Sequence, residues 1–465
     1  MYNGWISDSQ EIINDNSHLS VLHTFPPKVS KEVANTLVTQ FNKDLCGNVE
    51  CKILTTNSQV DWAMEVICYG LSLPITEKDS VLSCVNIYSV WLSALIKPKL
   101  SIPQPIRREP EVYARKMFQH LRNLFVPRPD DSNDPNLIHF QTGLCEKALN
   151  DILNILREAK KLTRQTWNDS LKYLLWITDC LLAPPLRIGS LGERLSRNLL
   201  STLFRIWLLA CSDSFPEPPI WKALSDMCKR WRHHGVVIEQ WNELSLTLTL
   251  HLDVILHGKF AHRRCFNFES DYYTIIRKLP KSEAIQCWFR FLHIIGNPVE
   301  LSSYEIIAHT PKLMEVVYES EIPLDFSQVG GLNQLPFIFL IVMQGLSNII
   351  DILLRCESRS ICQLLDRIAM VYPSYPTRIN ALPSNKDFVK LPDHNEGNES
   401  PNLGNNPSGL IASFNSNTIV QLLGQWLFQA SQIKVLYSIM YHIILLSIFM
   451  IVTVMTINIY YCSYS

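Results

Sequence analysis

The stretch Leu199–Trp241, LLSTLFRIWLLACSDSFPEPPIWKALSDMCKRWRHHGVVIEQW, leaves the chain few architectures to choose from. Leu200, Phe204, Trp207, Leu208 and Cys211 recur at steps of three and four, which places them on one face of a helix. Phe215-Pro-Glu-Pro-Pro219 then breaks that helix, because proline fixes φ and lacks a backbone donor. Pro219 suits the first turn of a second helix, whose apolar face is Trp221, Leu224, Cys228 and Trp231. His233-His234-Gly235 makes the next break, with Gly235 expected to take a positive φ at the helix end. A third run carries Val237, Trp241, Leu244, Leu248, Leu252 and Ile255. Helix and tight break in alternation is the writing of a stacked helical array.

The same grammar extends over most of the chain. Helices are predicted over Ser30–Phe41 with Ser30 as N-cap, Trp62–Leu73, Val81–Ile96 and Glu111–Val126. Further helices are predicted over Gly143–Leu162, Gln165–Leu182, Arg194–Cys211, Ala284–Gly296 and Pro336–Cys356. Lys97–Pro110 reads as a proline-punctuated connector, and His257–Tyr273 as a basic, aromatic loop. Each helix carries one apolar stripe and needs neighbours to bury it, and no clean repeat period emerges. The expected fold class is therefore all-α: an irregular α-solenoid, a HEAT/armadillo-like helical array over residues 1–371. A polar linker rich in Pro, Asn, Ser and Gly follows over 372–417, then a short amphipathic helix within 418–434.

Beyond Lys434 no charged residue occurs, and 435–460 (VLYSIMYHIILLSIFMIVTVMTINIY) is overwhelmingly apolar. About 20 helical residues cross a hydrocarbon core, so this C-terminal hydrophobic helix is long enough to span a membrane. Tyrosines near both ends suit the interfaces. The competing readings are a buried core helix and a divergent replacement end.

Composition excludes several function classes. Hydrophobic residues make up 47% of the 465 and charged residues 18%, enough apolar material for a large core and too little charge for a disordered chain. A net charge of −1 gives no bias toward nucleic acid, so no nucleic-acid partner is expected. The 13 cysteines lie scattered through apolar runs without a CxxC pair, and no signal-peptide pattern opens the chain. Reduced thiols and a cytoplasmic location follow, with the apolar tail as the potential membrane attachment. The glycosylation patterns at Asn168 and Asn398 carry no meaning in that setting.

No catalytic, cofactor-binding or metal-binding residue is assigned. His257, His262 and Cys265 supply three metal-ligand types without a fourth at ligand spacing, and a solvated basic loop explains them better. His233 and His234 beside Arg232 are expected to act as cations complementing a helix dipole, rather than as general bases. Phosphate-loop, dinucleotide and nucleophile-elbow patterns are missing from the sequence. Trp207, Trp221 and Trp241 fall on apolar stripes and read as core.

Several stretches resemble, in order, a known family. They are WAMEVICYGLSLP (Trp62–Pro74), NLFVPR (Asn123–Arg128), LLAPP (Leu181–Pro185) and WLLAC (Trp207–Cys211). FPEPPIWK (Phe215–Lys222), WRHH with EQW (Trp231–His234, Glu239–Trp241), WFRFLH (Trp288–His293), NPVELS (Asn297–Ser302) and LLGQWLFQA (Leu422–Ala430) continue the series. Together they are similar to the N-terminal region of the beta subunits of Ral GTPase-activating protein complexes, from Met1 to about Ala430. The resemblance implies a non-catalytic, heterodimer-forming subunit that supports GTP hydrolysis by Ral-type small GTPases. It implies an alpha subunit as partner, which supplies the catalytic asparagine, and no cofactor. The family's own GAP-like module would lie far downstream, so this chain reads as an N-terminal fragment with a shortened linker and a divergent tail. The alternative from another class is a tail-anchored membrane adaptor presenting a helical protein-binding surface.

Overall fold

A computed structural model gives the fold of the protein. It describes residues 2, 4–45, 51, 53–128, 134–184, 189–257, 271–297 and 300–301, with single helical positions between 338 and 352 and between 423 and 429. Among these residues there is no strand. The chain divides into two compact units, residues 1–244 with 278–339, and residues 245–277 with 340–465.

The first unit opens with a short helix α1 (Ser9–Ile13), a 3-10 turn (Val21–Thr24) and α2 (Pro27–Leu45). The helices α3 (Asn57–Ser72), α4 (Lys78–Leu92), α5 (Gln104–Arg108) and α6 (Pro110–Phe125) follow. Then come α7 (Pro135–Glu158), α8 (Arg164–Leu182), α9 (Leu191–Asp213) and α10 (Pro218–Trp231). The helix α11 (Gly235–His257) begins in this unit, which α13 (Lys281–Leu292) completes, while α12 (Asp271–Ile276) belongs to the second unit.

Local chemistry sets the starts. Thr56 and Gln59 close a reciprocal capping box on α3, and Thr163 and Ser190 accept from backbone N–H groups of the first turns of α8 and α9. Proline occupies the first turn of α5, α6, α7 and α10, where its missing donor costs nothing. The helices pack on alternate neighbours. In one row α3 meets α6, α6 meets α8, and α8 meets α10; in the other, α2 meets α4, α4 meets α7, and α7 meets α9. The rows touch along α3–α4 and α8–α9, and α13 packs on α9. The stripes fill the space between rows: Leu149, Ile152, Leu153 and Leu156 of α7, and Leu171, Leu174, Leu175 and Leu182 of α8, are all buried. Trp207, Trp221 and Trp241 have no exposed surface, as their stripe positions predict.

Several sequence expectations need correcting. Ser30 is not an N-cap: α2 starts at Pro27, and the Ser30 hydroxyl, one turn in, donates to Leu22 O at 2.8 Å. The Lys97–Pro110 connector contains α5, which buries Ile106. The helix expected from Gly143 begins two turns earlier, at Pro135 behind the Asp134 cap. Gly235 does not take a positive φ; it starts α11 instead of ending α10. The predicted 257–273 loop is partly helical, since α11 runs to His257 and α12 starts at Asp271.

Of the helix predicted over Pro336–Cys356, Ile338, Val342, Leu346 and Ile349 are helical and buried. Leu423 and Trp426, from the short amphipathic helix, are likewise helical and buried. The linker 372–417 and the apolar run 435–460 lie outside the described residues. Among the described residues no helix is long and apolar enough to cross a membrane.

Candidate functional site: the knots that join the sequence motifs

Several of the stretches that carry the family resemblance meet one another within the first unit. The first knot joins α3 and α6. Asn123 donates to His18 O at 2.7 Å and reaches Cys68 O at 3.4 Å, and Arg128 donates to Leu71 O. The Trp62–Pro74 and Asn123–Arg128 stretches are thereby stitched through backbone carbonyls. Behind them Tyr88 of α4 hydrogen-bonds His120 Nδ1 at 2.7 Å, and burial pushes the His120 imidazole down to about 4. Burial likewise raises the Cys68 and Cys84 thiols, which keeps both protonated and inert.

The second knot gathers the end of α8, the break between α10 and α11, and the turn after α13. Asp179 is buried, and its carboxylate faces the Arg230 guanidinium at 3.0 and 3.1 Å while accepting the Trp231 indole N–H at 2.9 Å. His234 Nε2 lies 2.6 Å from Leu182 O, so the LLAPP and WRHH stretches are bonded partners. Arg232 pairs with Glu300 at 2.6 Å, which ties WRHH to NPVELS. His233 and His234 are not solvated cations at a helix end. Both are buried, and desolvation holds His233 at about 4 and His234 well below the ordinary histidine value. They are neutral packing groups at neutral pH.

The third knot is aromatic. Trp207 and Trp221 meet edge to face at 5.1 Å, Trp221 meets Phe291 at 5.0 Å, and Trp241 donates its N–H to Phe291 O at 2.9 Å. The Arg290 guanidinium stands 4.8 Å from the Phe215 ring and 5.2 Å from both Trp5 and Trp221. Sequence reading missed Asp179 and Arg290. The available signal was an ionisable residue inside an apolar stripe, which demands a partner.

These groups are engaged in holding helices together. Among the described residues no cluster of three or more His, Cys, Asp or Glu could hold a metal ion. His257 closes α11, while His262 and Cys265 lie outside the described residues. The arrangement offers hydrogen-bonded, ion-paired and aromatic junctions between helices.

Comparisons with known proteins show what the chain is similar to. Residues 137–259, which run from α7 to just past α11, match the family described as the RALGAPB N-terminal domain. The chain is 36% identical over 93% of its length to the Ral GTPase-activating protein subunit beta of rat, covering 31% of that protein. The human protein of that name is 36% identical over 93% of the chain and is covered to 30%. A Rap-GAP domain-containing protein of Dictyostelium discoideum is 30% identical over 182 residues, 37% of this chain and 11% of that protein. The chain thus spans about 31% of the length of the rat and mouse proteins of that name. No solved structure matches it.

Proposed function

We propose that this chain, which carries the RALGAPB N-terminal domain, is a non-catalytic scaffold subunit of a heterodimeric GTPase-activating complex that acts on Ral-type small GTPases. The observation that carries the reading is the 36% identity maintained along 93% of the chain to Ral GTPase-activating protein subunit beta. The two-row packing supports an irregular α-solenoid of the HEAT/armadillo kind, in which each helix pair leans on the next and the outer surfaces are free for partners. An alpha subunit is the expected partner and the source of the catalytic group. Activation of GTP hydrolysis needs a residue that orients water or neutralises transition-state charge. Arg230, Arg232 and His234 of the second knot are turned to Asp179, Glu300 and the Leu182 carbonyl.

Two measurements test this together. Tagged chain should retain an alpha subunit on co-purification, and chain alone should leave the GTP hydrolysis rate of a Ral-type GTPase at its intrinsic value. Acceleration by the isolated chain would overturn the non-catalytic reading, and failure to retain the alpha subunit would overturn the heterodimer. For location we propose the cytoplasm, with the apolar run 435–460 as membrane attachment. A fluorescent protein fused to residues 431–465 should mark membranes, and a diffuse signal would sink the attachment.

A further inference from the structure

Residues 2–22 run as a nearly continuous line across five helices of the first unit, from α13 back to α3. At one end the Tyr2 hydroxyl donates to Arg290 O at 2.9 Å, and Arg290 stacks on Trp5. In the middle Asp8 N–H reaches Pro219 O at the start of α10, and α1 packs on α8 and α10. There Lys172 of α8 pairs with Glu11 at 2.8 Å and with Asp8 at 3.5 Å. Arg122 of α6 then takes Asp15 at 2.7 Å. At the far end the Ser20 hydroxyl donates to Glu65 O at 2.8 Å, and Val21 N–H donates to the Glu65 carboxylate, both on α3.

The fastening is ionic and polar more than apolar. Tyr2, Ile12 and Leu22 are the large side chains this segment buries, whereas Ile6 points outward at 82% exposure. The helices beneath are already packed on one another through their own stripes. The segment therefore adds little core. What it adds is a set of ties between helices that otherwise touch only their immediate neighbours.

We propose that residues 2–22 form a releasable clasp, held by the Asp8/Glu11–Lys172 and Asp15–Arg122 pairs, that fixes α3, α6, α8, α10 and α13 at their mutual angles. Partly exposed ion pairs weaken with salt, so the clasp loosens as ionic strength rises. A helical array gains rigidity from such a cross-tie because each of its helices otherwise depends on neighbours alone.

The test is hydrogen exchange on the full chain, comparing wild type with the triple variant Asp8→Asn/Glu11→Gln/Asp15→Asn. All three changes lie on the clasp, and each keeps the side chain's shape. Amides of 8–22 should exchange about tenfold faster in the variant, the scale expected when a few ion pairs are lost. Amides of α10 and α13 should speed up with them, while those of α4 and α7, in the row the clasp does not cross, should not. Wild type moved from low to high NaCl should show the same pattern, which keeps the proposal testable if the variant folds poorly. A segment 8–22 unaffected by both neutralisation and salt would show that the ion pairs do not hold it. Loosening of 8–22 without any change in α10 and α13 would show a surface decoration instead of a clasp. Either result overturns the proposal.

Discussion

Trp231 gives its indole N–H to Asp179 at 2.9 Å, and the same carboxylate is faced by the guanidinium of Arg230, the residue just before that tryptophan. A single buried anion thus joins the end of α8 to the last turn of α10 through two consecutive side chains. Removing one partner of a buried, hydrogen-bonded charge pair leaves the other partner desolvated and alone. Asp179→Ala should therefore destabilise the fold by about 3 kcal/mol or more. Asp179→Asn, which keeps an oxygen for the indole and removes the charge, should cost less. Denaturant unfolding of the two variants checks both the loss and its order.

The two central tryptophans of α9 and α11 should answer differently to the same change. Trp241 donates to Phe291 O, whereas the Trp207 N–H is buried with no acceptor among the described residues. Replacing either with phenylalanine removes part of the ring and leaves a small void. Only at Trp241 is a hydrogen bond also lost, worth about 1 kcal/mol net. Trp241→Phe should thus be more destabilising than Trp207→Phe by roughly that amount. Equal thermal midpoints would contradict the assignment of that bond.

The rows of helices were legible because they rest on periodicity. Proline positions and stripes located α6, α8, α9 and α10 to within a few residues. What escaped was set by distant contacts. Ser30 has the composition of a cap, yet its hydroxyl is used by Leu22 O, and the helix is begun by Pro27. Gly235 has the composition of a stop, but the turn at 232–234 ends α10 and the glycine opens α11. His233 and His234 look like surface cations in sequence; only the proximity of Leu182 and Pro184 from α8's end shows that they are buried. The segment 2–22 lacks periodicity because it is ordered by the helices it crosses rather than by its own pattern. The knots were half legible: the motifs stood out as unusual strings, but their pairing in space could not be read from spacing.

Gly192, in the first turn of α9, has a role that its helical setting conceals. A Cβ at this position would come within 2.6 Å of Leu181 O, a backbone atom near the end of α8. The glycine allows the two helices to close on each other across their connection. Gly192→Ala should cost about 1–3 kcal/mol through forced separation of backbones, despite alanine's better helix propensity. A variant as stable as wild type, or more so, would place α8 and α9 farther apart than observed.

The buried histidines predict how stability depends on pH. Burial pushes His120 and His233 down to about 4, and His234 well below its ordinary 6.5. The neutral form is the folded form, so in the window from 6.5 down to about 4 the unfolded chain binds protons that the folded chain refuses. Stability is therefore complete above pH 6.5 and falls as pH drops through that window. Each unit of separation is worth about 1.4 kcal/mol per group, so His120 and His233 can each withdraw at most about 3 kcal/mol. The carboxylates of Asp15 and Glu111 are held below their ordinary values and act in the same direction, but only once the pH reaches the carboxylate range. The upper part of the window belongs to the histidines. Denaturant midpoints should be level above neutrality and decline steadily from about pH 6.5 toward 4.5. His120→Gln retains an acceptor for the Tyr88 hydroxyl and cannot titrate, so its decline should be shallower than that of wild type. An identical slope in the variant would mean that His120 carries its proton in the folded state, and the Tyr88–His120 junction would have to be redrawn as one that accommodates a charge.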